Sequence, residues 1–436
     1  MEKKKILIVS YYWPPSGGPG VQRWLKFAKY LPEFGFEPII YTPENPSYPL
    51  EDKSLEKEIP KGITIVKTRI WEPYALAEKF SSKNKKFKGG QFDVGKNQSL
   101  LSKLSIWVRG NFFIPDARVF WVKPSIKFLS SYLKEHNIDL LVTTGPPHSM
   151  HLIGLGLKKK LPQLQWIADF RDPWTEISYH KHLKLSKASE KKHLDLESQV
   201  FRTADLTIAT SYLDAQKFRQ KGARALTITN GFDKDLGEIE KQGEKSPSDR
   251  FTLTYAGVLE QLRNPSLLWQ VLSELSKEDQ EFKKDLLIRV AGRMDEKIVE
   301  EIQNLGLSSS LELLGYLSHE KAVEEMNRAD LLVLTNFPKE ESRGIIPGKL
   351  FEYLAAAAQI LSFGPSDSDV EKILEETEKG KHFTFTERKE LKEFLLKSYS
   401  QFKSAQKYNS ISIEKIKPFS RRALTESLAR ELKKLG

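Results

Sequence analysis

The stretch KILIVSYYWPPSGGPGVQRWLKFAKYL, residues 5–31, decides how the rest of the chain is read. Residues 5–10 form a short β-branched run of strand length, and residues 21–31 repeat apolar side chains at the 3.6 spacing of an amphipathic helix. Between them lies the glycine- and proline-rich loop WPPSGGPG, residues 13–20. Strand, glycine-rich loop and helix in that order make the first half of a βαβ unit, and such units build parallel sheets.

The rhythm continues outward from this segment. Further strands are predicted at residues 37–42, 63–68, 139–143, 165–170, 205–209 and 225–229, with helices at 124–136 and 187–202 among them. After a polar stretch, residues 237–250, it restarts. Strands at 251–256, 286–291, 311–314, 331–334 and 360–363 alternate with helices at 265–276, 295–306, 319–328 and 347–358. At 436 residues the chain exceeds what one hydrophobic core serves. The expected fold class is therefore α/β, with two tandem Rossmann-like domains facing each other across a cleft. Their predicted bounds are 1–235 and 236–417, and an amphipathic C-terminal helix within 418–436 could pack back on the first domain. Ligands of open parallel sheets sit outside the carboxyl ends of the strands, so the residues just after strands carry the functional argument.

Composition narrows the setting. No repeat or low-complexity tract is visible, which sets aside solenoids and disorder. The apolar run of residues 6–9 is too short for a secretory core, and no stretch approaches the roughly 18 to 20 apolar residues of a spanning helix. With no cysteine there is neither disulfide nor thiolate site, in keeping with a reducing, cytoplasmic compartment. The net charge of +11 is carried by the part before Asp235, the remainder being close to neutral. Residues 81–130 alone hold ten basic and two acidic side chains. A basic first domain suits an anionic partner, and lipid phosphate and nucleic acid are the two candidates.

Several post-strand segments offer chemistry, each beside a plainer reading. The 13–20 loop could hold an anion through glycine backbone and helix amides, or be only a tight turn, since it fits neither a dinucleotide fingerprint nor a P-loop. TGPPHS, residues 144–149, sets His148 at a helix start, where an imidazole can act as hydrogen-bond donor, acid or base, or serve structure. DFRDPW, residues 169–174, offers Asp169, Arg171 and Asp172 to orient a sugar, against a local Arg171–Asp172 ion pair. Asn230 follows a strand where the first domain ends, and a hinge turn explains it as well as a ligand would. In the C-terminal domain Gly257 permits close approach and Arg263 could face a diphosphate. In IPGKLFEYLAAAA, residues 346–358, Lys349 and Glu352 lie three apart on an otherwise apolar helix. They form either a local salt bridge or the cation and carboxylate that a nucleotide's phosphate and ribose need. The triplets Asp233/Asp235 and Asp367/Asp369 invite a metal, but Asp233/Asp235 lies at the hinge and Asp367/Asp369 has the pattern of a helix cap, so no metal site is expected.

TGPPHS, DFRDPW, TNGFD and PGKLFEYLA, in that order across two Rossmann-like halves, resemble the family-four (group 1) retaining glycosyltransferases of the GT-B fold, bacterial surface-polysaccharide enzymes among them. The resemblance implies transfer of a sugar from a nucleotide diphosphate donor to a glycan or lipid-linked acceptor, with retention at the anomeric carbon. It implies catalytic roles for His148, Arg263 and Lys349, and a hydrogen bond from His148 to the donor sugar. Gly17 and Gly18 would face the donor phosphates, Arg263 and Lys349 would neutralise them, and Glu352 would take the ribose hydroxyls. Neither a metal nor another cofactor is then expected. One position departs from the pattern: eight residues before Glu352, where many members carry a glutamate, stands Gly344. Ser342, Arg343 or backbone amides near Gly344 are the candidates to replace it.

The basic stretch then finds a use. Lys83, Lys85, Lys86, Lys88, Lys103, Arg109 and Arg118 interleave with Trp107, Phe112, Phe113, Phe120 and Trp121, a surface suited to the anionic inner face of a membrane, unless the aromatics are core. The competing functions are a sugar-nucleotide epimerase on the same fold and a non-catalytic polyanion-binding protein. No RNA-binding signature supports a nucleic-acid partner.

Overall fold

The computed structural model describes residues 3–72, 100–177, 180, 183–242, 249–404 and 412–435. Of the basic stretch, Lys83, Lys85, Lys86 and Lys88 lie outside the described residues, as does the side chain of Lys103. Among the described residues no helix is long and apolar enough to cross a membrane.

The chain divides into two compact units. One comprises Met1–Thr229 with Leu424–Gly436, the other Asn230–Ala423. In the first, strands β1 (Lys4–Val9), β2 (Phe36–Pro43), β3 (Thr64–Thr68), β4 (Leu140–Gly145), β5 (Gln165–Phe170), β6 (Leu206–Ala209) and β7 (Ala225–Thr227) form one parallel sheet in the order β3-β2-β1-β4-β5-β6-β7. Helices α1 (Pro19–Tyr30), α2 (Leu100–Phe112), α3 (Val119–Glu135), α4 (Ser149–Lys160), α5 (Lys187–Thr203) and α6 (Tyr212–Gln220) connect the strands.

The second unit repeats the plan. After α7 (Leu236–Gln242) come β8 (Phe251–Leu259), α8 (Ser266–Glu278), α9 (Gln280–Asp285), β9 (Leu286–Met294), α10 (Glu296–Asn304) and β10 (Leu311–Gly315). Then follow α11 (His319–Arg328), β11 (Leu331–Thr335), α12 (Lys349–Leu354), β12 (Gln359–Phe363), α13 (Asp369–Thr377), β13 (Gly380–Phe383), α14 (Arg388–Lys403) and α15 (Ile413–Ile416). Its parallel sheet runs β10-β9-β8-β11-β12-β13. In both sheets the order reverses beside the first strand, so the loops after β1 and β4, and after β8 and β11, flank a topological switch point where such sheets place their ligands. The final helix, α16 (Arg421–Leu435), sets Leu424, Leu428 and Leu432 into the core of the first unit against Ile6, Ile8, Trp24 and Phe27.

Both faces of β1 are covered: Ile6 and Ile8 enter one core, Leu7 and Val9 the other. This is why the strand reads as a continuous apolar run rather than an alternating one. Several elements depart from the sequence reading, the long helix α14 among those it did not include. The helix expected over 347–358 stops at Leu354, because Ala355–Ala358 must turn the chain into β12; tertiary demand overrides alanine's helix propensity. Strand β13 has no counterpart among the expected strands, being four residues long, led by a glycine and at the sheet edge. The polar stretch 237–250 is not wholly linker, since it contains most of α7.

Beneath the first switch point lies a buried ion pair. Arg23, on α1, donates through Nε and Nη2 to Asp169 Oδ1 at 3.1 and 2.8 Å, and both side chains are essentially inaccessible. Trp24 Nε1 and Thr144 Oγ1 donate to Oδ2 at 2.7 and 2.9 Å, and Arg23 Nη1 reaches the Thr229 carbonyl at 2.9 Å. Burial alone would raise the Asp169 carboxyl, but the guanidinium and these hydrogen bonds outweigh it and hold it below the usual carboxylate range. Asp169→Ala, which strands a buried guanidinium, should destabilise the protein by about 3–5 kcal/mol, read as a lowered urea midpoint; an unchanged midpoint would contradict this account.

Candidate active site

In the second unit the C-terminal end of β8 and the start of α12 converge on one cation. Gly257 adopts φ +115°, and a Cβ there would lie 2.2 Å from Lys349 Nζ, so only glycine leaves room for the amine. The amine donates to Tyr255 Oη at 3.3 Å and lies 4.6 Å from the centre of the Tyr255 ring. Tyr255 in turn donates to the Val258 carbonyl at 2.9 Å, fixing the ring that carries the lysine. Arg263 reaches the same carbonyl at 3.3 Å, pairs with Glu260 at 3.2 Å, and lies over Phe337 at 5.4 Å. Its Nε is buried without a partner. Burial, seconded by the Arg263 charge and opposed by Glu352, pulls the Lys349 ammonium down to about 8. Two cations held together before any anion arrives are an arrangement that an anion relieves.

Lys349 and Glu352 are not an ion pair, since the amine turns to Tyr255 and the carboxylate stays exposed, one turn along α12. Gly344 lies in the loop between β11 and α12. Asn336 Nδ2 ties that loop by donating to the carbonyls of Ser342 and Ile345 at 3.3 and 2.8 Å. Ser342 is buried and spends its hydroxyl on the Phe337 and Lys339 carbonyls, while Arg343 pairs with Glu340 at 3.3 Å and Asp367 at 3.8 Å.

In the first unit, Gly17 donates its amide to the Leu50 carbonyl at 2.9 Å, and Gly18, at φ +93°, precedes α1. Arg171 folds against Gly20, donating to the Pro146 carbonyl and lying over Tyr12 at 5.7 Å. The expected local ion pair does not form: Arg171 turns inward and Asp172 faces solvent. Asp169 is placed differently from a sugar ligand. It is sealed in the core with its lone pairs taken by Arg23, Trp24 and Thr144. Asn230 belongs to the second unit, where its Oδ1 accepts from Arg421 Nη1 at 3.4 Å.

His148 immediately precedes α4, whose first turn is held by Asp116: Ser149 donates its amide and hydroxyl to that carboxylate at 2.9 and 2.8 Å. The imidazole is buried, neither ring nitrogen has a partner, and burial together with nearby His151 and Arg171 keeps it neutral, well below the ordinary histidine range. Its ring stacks on Trp174 at 5.1 Å with 6° between planes. Leaving such a group unpaired costs about 1–3 kcal/mol, which marks it for a partner not supplied by the fold.

The two Asp-x-Asp triplets are engaged locally, Asp367 by Arg343. Asp235 accepts from the amides of Gly237 and Glu238 at 2.8 and 3.3 Å, and Asp369 opens α13 behind the Ser368 cap. Among the described residues no three His, Cys, Asp or Glu side chains converge as metal ligands. Sequence reading missed Tyr255 and Phe337, which flank the cations, and left Trp174 without a role. For Tyr255 a signal existed: it lies two residues before Gly257 on a strand, hence on the same face.

Residues 237–410 match the model of the family described as glycosyl transferases group 1. Among solved structures the chain is similar to a sucrose-phosphate synthase from Thermosynechococcus elongatus, at 13% identity, 99% coverage of each chain and a TM-score of 0.59. It is similar to Anabaena Alr3699/HepE in complex with UDP at 14% identity, covering 99% of this chain and 100% of that one, with a TM-score of 0.59. A third structure, trehalose-6-phosphate from E. coli bound with UDP-2-fluoro glucose, gives 11% identity, 99% coverage of each chain and a TM-score of 0.60. At these identities the likeness is one of fold: two Rossmann-like domains of GT-B type. No curated protein matches the chain.

A nucleoside diphosphate held by Lys349 should bind less tightly as the pH rises through about 8, because the free amine then loses the proton that attracts it. Calorimetry with UDP should show a loss on the order of tenfold between roughly pH 7 and 9.5, absent in Lys349→Met. The same pH slope in the variant would contradict the assignment.

Proposed function

From a second unit that carries a group 1 glycosyltransferase domain over residues 237–410, we propose that the chain moves a sugar from a nucleotide diphosphate donor to a glycan or lipid-linked acceptor, with retention of anomeric configuration, in cell-surface polysaccharide synthesis. The observation that carries this reading is the cation pair of Lys349 and Arg263 built around Gly257. Lys349 and Arg263 offset the charge that develops on the departing diphosphate, and Glu352 takes the ribose hydroxyls. His148 hydrogen-bonds the donor sugar, its unpaired nitrogens supporting that role. Ser342 and Arg343 being engaged within their own loop, backbone near Gly344 replaces the glutamate that many relatives carry there. Gly17 and Gly18 face the donor phosphates and the acceptor, and Arg171 orients the acceptor. With two protein cations for the diphosphate, no metal is required in this scheme.

The acceptor is carried at the cytoplasmic face of a membrane. Of the expected surface Trp121 and Arg118 are buried, Arg118 against Glu72 at 3.1 Å, whereas Trp107, Phe112 and Phe120 are exposed, with Lys123 and Lys127 exposed on α3. Such aromatic and basic groups favour an anionic lipid surface by up to about 1 kcal/mol per cation. Co-sedimentation with phosphatidylserine vesicles should exceed that with phosphatidylcholine vesicles; equal binding removes this part.

Thermal melts with UDP, GDP, ADP and their sugar conjugates, with EDTA present, test the donor. A ligand at about 100 times its dissociation constant stabilises by about 2.7 kcal/mol, a shift of a few degrees. Release of free nucleoside diphosphate during turnover separates transfer from epimerisation. Lys349→Ala and Arg263→Ala should each lower turnover on the order of a hundredfold, the cost of one electrostatic donor to the leaving group. Near-normal turnover in both would sink the scheme.

A further inference from the structure

Behind His148 the first unit builds a chain of rings that the proposed chemistry leaves unexplained. Trp174, the last residue of DFRDPW, presents its face to His148 and donates Nε1–H to His193 Nδ1 at 3.0 Å. His193 sits on α5, edge-on to His180 at 4.6 Å and 90°. One turn further along the same helix, Glu197 accepts from the Thr175 amide and hydroxyl at 3.0 and 2.8 Å. Residues 193 and 197 share a helix face, so α5 grips two successive residues of the loop after β5. The first grip ends on the ring that backs His148.

Proton positions follow from the donors. An indole N–H only donates, so His193 Nδ1 must be bare and its proton must reside on Nε2. A second hydrogen-bonded ring lies on the other side of His148. Trp166 Nε1 donates to Thr143 Oγ1 at 2.9 Å, and the same hydroxyl is hydrogen-bonded to His151 Nδ1, also at 2.9 Å. His151 Nε2 and His148 Nδ1 both face Gly145, where a Cβ would meet them at 2.6 and 3.0 Å. Burial pulls His151 down to about 3 and, aided by His180, His193 to about 4, so both stay neutral at ordinary pH. Filling space behind His148 would need only an apolar residue. The near-parallel stack and the spent indole N–H fix an angle.

We infer that His193 and Trp174 are positioning residues for His148, setting through one hydrogen bond and one ring stack the orientation in which that imidazole meets a sugar hydroxyl. This rests on the donor-sugar role proposed above for His148. Misplacement of a reacting group by about 1 Å can cost up to a hundredfold in rate, so the two residues matter without touching substrate.

The test uses the full-length chain with two substitutions at one position. His193→Leu removes the acceptor, whereas His193→Gln offers an amide oxygen to Trp174 Nε1. His193→Leu should lower kcat by about tenfold or more while the melt shift with the nucleoside diphosphate stays that of the unaltered protein. His193→Gln should recover most of the loss. Nitrogen-15 spectra of the imidazoles supply a readout independent of turnover: the His148 signals should move in His193→Leu and in Trp174→Phe, and return in His193→Gln. An unaltered kcat in His193→Leu, equal damage in both His193 variants, or unmoved His148 signals overturns the proposal. If the unaltered chain turns over no sugar nucleotide, the transfer reading fails by itself, and the spectra decide whether His193 orients His148. Should His193→Leu not fold, Trp174→Phe against His193→Gln decides by the same signals.

Discussion

The Arg23–Asp169 ion pair is the constraint on which the first unit depends. Its members come from α1 and the end of β5, and the hydrogen bonds around it add the end of β4 and the segment after β7. A buried carboxylate must be paired and hydrogen-bonded or the structure around it fails. Satisfying Asp169 therefore fixes where the loops after β1, β4 and β5 leave the sheet, and those loops hold Gly17, His148 and Arg171. The ligands of the pair are thus the scaffold of the site rather than members of it.

The second unit solves a related problem with less material. Its cation is held by an aromatic ring and a backbone conformation open only to glycine, at Gly257. Another glycine, Gly292 on the neighbouring strand, lies under it: a Cβ there would meet the Gly257 carbonyl oxygen at 2.1 Å. Two adjacent strands have given up their side chains at one level so that a lysine can occupy the space. The ammonium is kept there against desolvation, and an incoming anion restores what burial removes.

Much of this was legible in the sequence, and the limits follow from physics. The strand and helix alternation, the tandem plan and the positions of Gly257, Arg263 and Lys349 were readable, because periodicity and post-strand placement are local properties. Asp169 was legible as a carboxylate at a strand end but not as a core residue. Its partner Arg23 lies 146 positions earlier, and nothing local distinguishes a buried carboxylate from an exposed one. Lys349 and Glu352 read as a helix-surface pair because three-residue spacing permits it, yet Tyr255, 94 positions away, takes the amine. Trp174 and His193 escaped for the same reason, their bond joining a loop to a helix that sequence spacing cannot align. The loss of helix after Leu354 came from the sheet, which needed the chain back as a strand.

The interleaving of the two units bears on how the molecule is made. The second unit, Asn230–Ala423, is an insertion within the first, and Leu424, Leu428 and Leu432 close the core around Ile6, Ile8 and Trp24. The entering and leaving segments run side by side, with Phe232 and Ser420 bridged in parallel and the Phe232 amide bonded to the Phe419 carbonyl at 3.1 Å. During synthesis the ribosome therefore delivers the entire inserted unit before it delivers the helix that seals the first. Until then α1 covers only part of the Ile6 and Ile8 face of the amino-terminal sheet, so its completion reports that translation has passed the insertion.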